Sequence, residues 1–238
     1  MRGKLIVIEG TDCSGKETQA ILLEKKLKEQ NIKAIHLSFP NYETPTGKII
    51  GACYLGQENL CKELLNNKLG WFEEGTGNVD GLVSSLYYAA DRKYNIHKIE
   101  ELLDEGVNVI LDRYTFSNMA HQGGKIASQE KRFQFFKKIE VLEFELLELP
   151  KPDYVILLYV PFQVTLELQK TRQTGLDQNE KDKKHIKRAE QTYLELKALY
   201  HFNLIECVKD SQLRTIEEIH QEVATKVMDF IQEKDRES

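Results

Sequence analysis

The sequence predicts an α/β fold, a three-layer sandwich in which helices cover both faces of a parallel sheet. Short, mainly apolar runs recur along the chain, for example at residues 5–8, 107–111 and 153–160. Such runs are typical of strands whose two faces are both buried under helices. Helical segments separate the runs, and this alternation is typical of a parallel sheet with crossover helices. We expect a single domain over residues 1–238.

A glycine-rich loop follows the first apolar run, whose strand is expected to end near Glu9. Gly10, four further residues, Gly15 and Lys16 have the spacing of a phosphate-binding loop. In such a loop, backbone N–H groups and the following helix N-terminus face the phosphates, and the lysine reaches the β- and γ-phosphates. We expect Lys16 to be exposed while the loop is empty. The alternative is a chance glycine loop between a strand and a helix. The residues predicted to bind ATP are Gly10, Thr11, Asp12, Cys13, Ser14, Gly15, Lys16, Glu17 and Thr18.

Composition excludes several classes of protein. Hydrophobic residues make up 41% and charged residues 30% of the 238 positions, which is ordinary for a soluble globular protein. A net charge of −5 argues against general nucleic-acid binding. The sequence shows neither a secretion signal nor an apolar run of membrane-spanning length, so we expect a cytoplasmic protein. Its four cysteines have no paired close spacing, so neither a zinc site nor a disulfide framework is predicted.

Apolar periodicity, together with glycine and proline positions, predicts the remaining elements. Helices are expected over residues 17–30, near 47–54 and 61–65, and over 79–104, 129–149, 162–171 and 215–232. Further strands are expected over residues 33–39, 107–111, 153–160 and 203–208. The buried side of the long helix over 79–104 is predicted to carry Leu82, Leu86, Ala89 and Ala90.

Two polar stretches outside the first loop are candidates for function. Asp112 and Arg113 follow a buried strand directly, and ligands of open α/β sheets bind at that carboxyl edge. Residues 172–184 are polar throughout and begin with Arg172. They are either a solvated connection or a lid that excludes water and brings positive charge to a migrating phosphoryl group.

Several motifs together resemble the thymidylate kinase family over nearly the whole chain. They are EGTDCSGKETQ at 9–19, FPNY at 39–42, PTGKIIGACYLGQ at 45–57, LYYAADR at 86–92, LDRYTFSNMAHQG at 111–123 and LPKPDYVILLYVP at 149–161. The resemblance implies phosphoryl transfer from ATP to dTMP, giving dTDP and ADP for dTTP synthesis. It also implies Mg²⁺, a homodimer, and the P-loop nucleoside monophosphate kinase fold with a five-stranded parallel sheet.

The same resemblance assigns roles to individual residues. It implies catalytic roles for Lys16, Arg113, Arg172 and Asp12, with Asp12 facing the acceptor's deoxyribose. Tyr42 and Arg113 are expected to hold the acceptor phosphate, while Tyr88 stacks on thymine and Arg92 hydrogen-bonds its exocyclic oxygen. Asp112 is expected to hold the metal. The other residues expected to bind the substrate are Phe39, Pro40, Ser117, Asn118, His121 and Gln122.

The chain departs from the family pattern at several positions. Glu17 stands where a metal-binding hydroxyl is usual, Cys13 where some relatives carry arginine, and His121 where aromatic residues are common. In the lid, Gln178 replaces a frequent arginine, and Arg172 is left as the sole arginine beside the lysines at 181, 183 and 184. Glu180 and Asp182 resemble acidic lid positions near the metal or the acceptor.

Two other functions stay open at this point. One is a kinase for another pyrimidine nucleotide or for a deoxynucleoside. The other is a catalytically weak nucleotide-binding regulatory relative, which Glu17 and the arginine-poor lid would favour. Away from the motifs, Arg92 would be read as a solvated partner of Asp91, and Arg113 as a partner of Asp112.

Overall fold

The computed structural model describes residues 1–65, 70–72, 74–171, 182–210 and 212–236. Its strands are β1 Leu5–Gly10, β2 Ala34–Ser38, β3 Asn108–Asp112, β4 Tyr154–Tyr159, β5 Asn203–Glu206, β6 Val208–Lys209 and β7 Gln212–Leu213. Its helices are α1 Lys16–Glu29, α2 Pro45–Lys48, α3 Glu58–Leu64, α4 Gly81–Asp104, α5 Thr115–Gly123, α6 Gln129–Glu140, α7 Phe162–Thr171, α8 Lys183–Tyr200 and α9 Ile216–Arg236. Helices α2 and α6 continue as π-helical turns over Ile49–Tyr54 and Val141–Leu146.

The main sheet has five parallel strands in the order β2-β3-β1-β4-β5, as predicted. Strand β1 lies at the centre, where Ile6 is in register with Ile110 of β3 and with Tyr154 of β4. The chain reverses its direction of winding across β1, so the carboxyl end of β1 is the topological switch point at which such sheets bind ligands. After β5, β6 and β7 form a short antiparallel hairpin that the sequence did not predict.

Helices cover both faces of the sheet, which makes the predicted three layers. Ile6 and Ile8 point into a core completed by α1 and α9. Leu5 and Val7 point to the opposite face, where α4 packs. Helices α5, α6 and α8 continue this second layer over β4. Both faces of β1 are therefore fully buried, which is why its sequence is an unbroken apolar run.

The prediction for the buried side of α4 was wrong for three of its four residues. Leu82 is 41% and Leu86 50% exposed, Ala90 is also exposed, and only Ala89 is buried. The first half of α4 instead buries polar residues, namely Ser84, Ser85, Asp91 and Arg92. The reason is that this half packs on a polar cluster, while only the second half, at Ile96, Ile99 and Leu103, reaches the sheet.

Two helices, α5 and α8, were not predicted from the sequence. The predicted and observed bounds of the other elements differ by a few residues. The hairpin of β6 and β7 after β5 is a further element that was not predicted. Within the described part of the chain, we find no helix with the length and apolar character needed to cross a bilayer.

Candidate active site

The phosphate loop and the Asp112–Arg113 pair meet at the switch point. Ile8 of β1 is in register with Asp112 of β3, so the segments that follow the two strands leave the sheet side by side. The loop of residues 11–15 leads into α1, whose first turn is open at its N-terminus. The sheet thus brings together two motifs that lie about a hundred residues apart in the sequence.

The loop has the backbone shape of an anion cradle. Cys13 and Gly15 have left-handed φ values of 59° and 77°, and Gly15 occupies the N-cap position of α1 without a side-chain cap. The amides of the first helical turn are therefore left for a ligand. Thr11 fixes the loop to the sheet, because its hydroxyl donates to Val160 O and accepts from Val160 N, both at 2.9 Å.

Lys16 lies over the loop rather than in solvent, so the expectation that it is exposed was wrong. It is only 7% exposed, and its Nζ donates to the carbonyl oxygens of Gly10 at 3.1 Å and Thr11 at 2.9 Å. Burial, with a smaller contribution from Arg113, lowers the pKa of Lys16 to about 8. The ammonium is thus held against neutral carbonyls and keeps a strong electrostatic preference for an anion.

Arg113 occupies the strand end in a strained conformation, with a φ of 67°. Its partner is Asp12 and not Asp112, since Nη2 lies 3.4 Å from Asp12 Oδ1. Nη1 lies 3.4 Å from both Ser117 Oγ and His121 Nε2. All three contacts are long, so the guanidinium is positioned by its neighbours without being saturated by any of them.

Asp12 is ionised at neutral pH despite its burial. Burial acts to raise the pKa of Asp12, but His121, Arg113 and Lys16 more than offset this and leave the pKa below its ordinary value. The carboxylate therefore stays an acceptor at the junction of the two motifs.

Asp112 has a buried carboxylate oxygen, Oδ1, with no hydrogen-bond partner among the described residues. Such an oxygen is costly unless a cation or water meets it, and Mg²⁺ needs only one or two protein carboxylates because it keeps several waters. The predicted metal ligand therefore fits that ion. Glu17 and Thr18 are exposed at the start of α1. No group of three or more candidate metal-ligating side chains occurs in the described ranges.

Glu9, which the sequence analysis did not select as a site residue, ties the two motifs together. It is fully buried and accepts hydrogen bonds from Tyr114 N at 2.9 Å, Ser117 N at 2.9 Å and Ser117 Oγ at 2.6 Å. The Tyr193 hydroxyl lies 3.1 Å from its second oxygen. Burial raises the pKa of Glu9 above its ordinary value. A carboxylate at the end of an apolar strand was the signal available in the sequence.

A second cluster of buried polar side chains lies between α4 and α5, and its central feature is a buried ion pair. Arg92 donates from Nε and Nη2 to the two oxygens of Glu143, each at 2.6 Å, and their side chains are 3% and 0% exposed. Burial disfavours the charge on Arg92, but Glu143 raises its pKa above the ordinary value. Asp91 is not its partner, because that carboxylate accepts from Asn41 N and Thr46 Oγ1 instead.

Two amide side chains of α5 present unpaired acceptors beside this pair. Asn118 Oδ1 and Gln122 Oε1 are buried and have no hydrogen-bond partner in the described structure. They lie one helical turn apart, so they share a face of α5. Unpaired buried acceptors are costly, and a ligand that donates hydrogen bonds would satisfy them.

The predicted aromatic residues divide between the pocket and the core. Tyr88 is half-buried and packs edge-on against Tyr54, with ring centroids 5.8 Å apart. Tyr42 and Pro40 are half-buried at the end of β2. The Phe39 ring, in contrast, is 5% exposed and packs in the core against Tyr114. Only the backbone of Phe39 is left to face a substrate.

His121 joins the pocket to the first turn of α8. Its Nδ1 lies 3.0 Å from His185 Nε2, and the two rings are stacked. Burial lowers the pKa of both histidines. Asp182, predicted to be an acidic lid position, caps α8 by accepting from Lys184 N and His185 N.

The lid itself lies largely outside the described residues. This applies to Arg172, Gln178, Glu180 and Lys181. Their predicted roles therefore rest on the sequence.

The fold and the two polar clusters define a class of protein. A phosphate loop on the central strand of a five-stranded parallel sheet is the architecture of P-loop nucleoside monophosphate kinases. The family model for thymidylate kinase matches residues 8–223. The chain belongs to the thymidylate kinase family.

Individual relatives agree with this assignment. A probable thymidylate kinase of Methanocaldococcus jannaschii is 33% identical over 218 residues, covering 92% of each chain. The thymidylate kinase of Plasmodium falciparum is 36% identical over 126 residues, and this match spans 52% of the chain and half the length of that relative. The solved thymidylate kinase of Candida albicans superposes with a TM-score of 0.66 at 25% identity, covering 100% of this chain and 94% of the other.

Proposed function

We propose that the chain transfers the γ-phosphoryl group of ATP to dTMP, giving dTDP and ADP. The observation that carries this proposal is the pairing of a donor with an unpaired acceptor between α4 and α5, the second of which also carries Ser117, a neighbour of Arg113. Arg92 uses Nε and Nη2 on Glu143, and no described residue accepts from its Nη1. Asn118 offers an unpaired Oδ1. A thymine ring has the complementary groups, a carbonyl oxygen beside an N3–H.

The base and sugar are bound by the faces of α4 and α5. Asn118 Oδ1 accepts from N3–H, Arg92 Nη1 donates to the adjacent carbonyl, and Tyr88 stacks on the ring. Gln122 lies one helical turn after Asn118, and its unpaired Oε1 accepts from a sugar hydroxyl. Ser117 and His121 line the same face, and Asp12 faces the deoxyribose.

The acceptor phosphate binds at Arg113, with Tyr42 on the other side. A guanidinium matches phosphate oxygens in a two-pronged way. Because its three protein contacts are all about 3.4 Å long, Arg113 loses little when it turns to a phosphate. It can remain bridged to the transferring group as charge develops there.

The triphosphate of ATP binds in the loop of residues 10–18. The phosphate oxygens replace the carbonyl oxygens of Gly10 and Thr11 as hydrogen-bond acceptors for Lys16. Because Lys16 is buried, its attraction to the negative phosphates is stronger than it would be in water. Phosphoryl transfer requires little covalent work from the protein, so positioning by the two pockets and charge from Lys16 and Arg113 perform the catalysis. Arg172 is assigned to the same charge cluster from the sequence.

Asp112 would hold Mg²⁺, and its unpaired Oδ1 supports this assignment. When bound, the ion neutralises charge on the β- and γ-phosphates. Glu17 is exposed, so we assign it no metal contact.

We also propose that the chain forms a homodimer through α4. Leu82, Leu86, Ala90 and Tyr94 recur every four residues and are all exposed, with Val83 beside them. This makes a continuous apolar stripe on one helix, and a second copy would cover it.

A coupled assay of ADP release with dTMP, dUMP, dCMP and dGMP tests the function. We expect turnover with dTMP far above that with dCMP or dGMP, and turnover should be absent in Lys16→Ala. Preference for another pyrimidine nucleotide would replace the substrate assignment. ATP binding without turnover of any nucleotide would instead indicate a regulatory relative.

A further inference from the structure

Glu143 is the centre of a fully buried cluster that no motif in the sequence indicated. Four donors converge on its carboxylate: Arg92 Nε and Nη2 at 2.6 Å, Thr115 Oγ1 at 2.9 Å and Asn118 Nδ2 at 3.0 Å. Glu143 itself lies in the π-helical turn after α6, 51 residues from Arg92 and 25 from Asn118. None of its described hydrogen bonds is with residues 10–18, so we assign it no contact with the transferring phosphoryl group.

The carboxylate determines which way the Asn118 amide faces. An ionised carboxylate only accepts hydrogen bonds, so the NH₂ group of Asn118 must turn toward it. The neighbouring Ser85 carbonyl accepts a longer bond from the same NH₂ group, at 3.3 Å compared with 3.0 Å for Glu143. The opposite end of the amide, Oδ1, is therefore fixed as an acceptor, and it is the atom left unpaired.

The same carboxylate also orients Arg92. Because both of its oxygens receive a guanidinium nitrogen, Nη1 is the one nitrogen of Arg92 without an acceptor among the described residues. The pocket consequently presents one acceptor and one donor in a fixed arrangement, and the Glu143 charge neutralises that of Arg92. A neutral ring with an N–H next to a carbonyl is matched, whereas a ring with an unprotonated nitrogen at that position would face an acceptor with another acceptor.

We propose that Glu143 is a specificity-determining positioning residue, which selects imide bases such as thymine and uracil over cytosine by fixing Asn118 as an acceptor and Arg92 as a donor. This inference rests on the proposed function, since it concerns the same base pocket. Glu143 need not touch the substrate. It acts through the two side chains that do.

Glu143→Gln tests the proposal with almost no change in shape. A glutamine side chain has one acceptor oxygen, so it cannot accept from Arg92, Thr115 and Asn118 together. The arrangement that turns the new NH₂ group toward Asn118 sets a donor against a donor, so Asn118 reverses its own amide, gives up its 3.3 Å bond to Ser85 O and presents Nδ2 to the base. Nδ2 is the correct partner for N3 of cytosine. We expect the ratio of kcat/KM for dTMP to that for dCMP to fall at least about ten-fold.

Glu195→Gln is the matched control. Glu195 makes the same kind of two-pronged pair with Arg132, at 2.9 and 2.6 Å, with side chains 11% and 7% exposed. This pair joins α6 to α8 and does not involve Asn118. The control should keep the wild-type ratio. A Glu143→Gln enzyme that loses activity equally for both nucleotides, with the ratio unchanged, would overturn the proposal.

A second variant covers the case in which Glu143→Gln does not fold. Asn118→Ala leaves the Arg92–Glu143 pair intact and removes the amide that Glu143 is proposed to orient. Loss of the dTMP preference supports the proposal, and a retained preference overturns it. A wild-type enzyme that does not phosphorylate dTMP at all would refute the proposed function, whereas a change confined to the variants concerns only the role of Glu143.

Discussion

Lys16 shows how burial changes the chemistry of a single residue in this site. Its ammonium group is buried against the phosphate loop, and burial lowers its pKa to about 8. The spacing of the phosphate-loop motif predicted that this lysine reaches the β- and γ-phosphates of a nucleotide. It did not predict the burial, which depends on how Gly10 and Thr11 present their carbonyl oxygens.

We therefore expect the affinity of the free enzyme for ATP to fall at high pH. Above about pH 8, Lys16 loses its proton in the empty loop, and the point charge that attracts the triphosphate is lost. The pH profile of kcat/KM for ATP, which reports groups of the free enzyme, should show a descending limb near that value. Lys16→Arg should not show this limb, because arginine keeps its charge. A flat profile to pH 9.5 would contradict the lowered pKa.

Arg92 shows how a tertiary contact adds to the role that the sequence predicts for a residue. The motif indicated a contact with the base, so replacing Arg92 was expected to reduce mainly dTMP affinity. In the structure, Arg92 also pairs with Glu143, which lies 51 residues away in the sequence, so no local sequence pattern could indicate this contact. Arg92 is thus both a candidate ligand-binding residue and half of a buried ion pair.

Arg92→Ala should consequently reduce stability as well as dTMP affinity. Removing one partner of a buried pair leaves an uncompensated charge, which costs about 3–5 kcal/mol. Arg132→Ala breaks the comparable pair with Glu195 and serves as its control. Urea denaturation should show a similar loss for both variants, while only Arg92→Ala raises the KM for dTMP. An equal rise of that KM in both would remove Arg92 from the base pocket.

At the scale of elements, α4 marks the limit of what its sequence could predict. Periodicity correctly indicated a long helix, and its second half, at Ile96, Ile99 and Leu103, packs on the sheet. The first half has apolar residues on the side that the monomer leaves exposed and polar residues on the side that it buries. A hydrophobic pattern alone assigns apolar residues to the interior. It cannot identify a buried polar cluster or an apolar surface such as the one proposed to bind a second copy.

Leu86→Glu should therefore abolish the proposed dimer. Leu86 is 50% exposed at the middle of the α4 stripe, and a charge there would be buried without a partner in the interface. Leu199→Glu is the control, since Leu199 is similarly exposed, at 45%, on α8. Analytical ultracentrifugation should show a monomer for Leu86→Glu and a dimer for Leu199→Glu. A wild-type monomer at micromolar concentration would refute this interface.

The histidine pair links α5 to α8 and should make stability depend on pH. Arginine donates only, so His121 Nε2 must accept from Arg113, and His121 Nδ1–H donates to His185. Both rings are therefore neutral when folded. Besides each other, the charged or titratable groups that influence them are Asp12, Arg113, Lys16, Lys125, Asp182 and Arg188.

Because the pKa of both histidines is lower in the folded state, the unfolded chain binds more protons as the pH falls below about 6.5. Stability should be fully present above that pH and decrease below it, by up to about 1.4 kcal/mol for each unit of pKa shift. The double variant His121→Gln/His185→Gln does not titrate at these positions. Its melting temperature should fall less steeply between pH 6.5 and 5 than that of the wild type; parallel curves would contradict the neutral pair.

For the whole molecule, the sequence was sufficient to predict the sheet but not every element around it. Buried strands such as β1 and β3 are recognisable because both faces require apolar residues. Helix α5 is nine residues long and carries Ser117, Asn118 and Gln122 on its buried side, so its composition resembles a loop. The polar clusters of the site could not be predicted from the sequence for a related reason: Glu9 and Glu143 acquire their roles only from partners that are distant in the sequence.

The central position of β1 also affects how the chain must be made. Lys4 N and Leu5 N bond to Asn108 and Asp153, 104 and 148 residues further along. During synthesis, at about 5–20 residues per second, the run of residues 5–8 therefore waits on the order of ten seconds for both neighbouring strands. Throughout that interval it is a strand-forming apolar segment with two open edges, which favours association with other nascent chains. Fragments that end before β4 should accordingly aggregate, and the yield of folded enzyme should depend on chaperones that bind the emerging N-terminal segment.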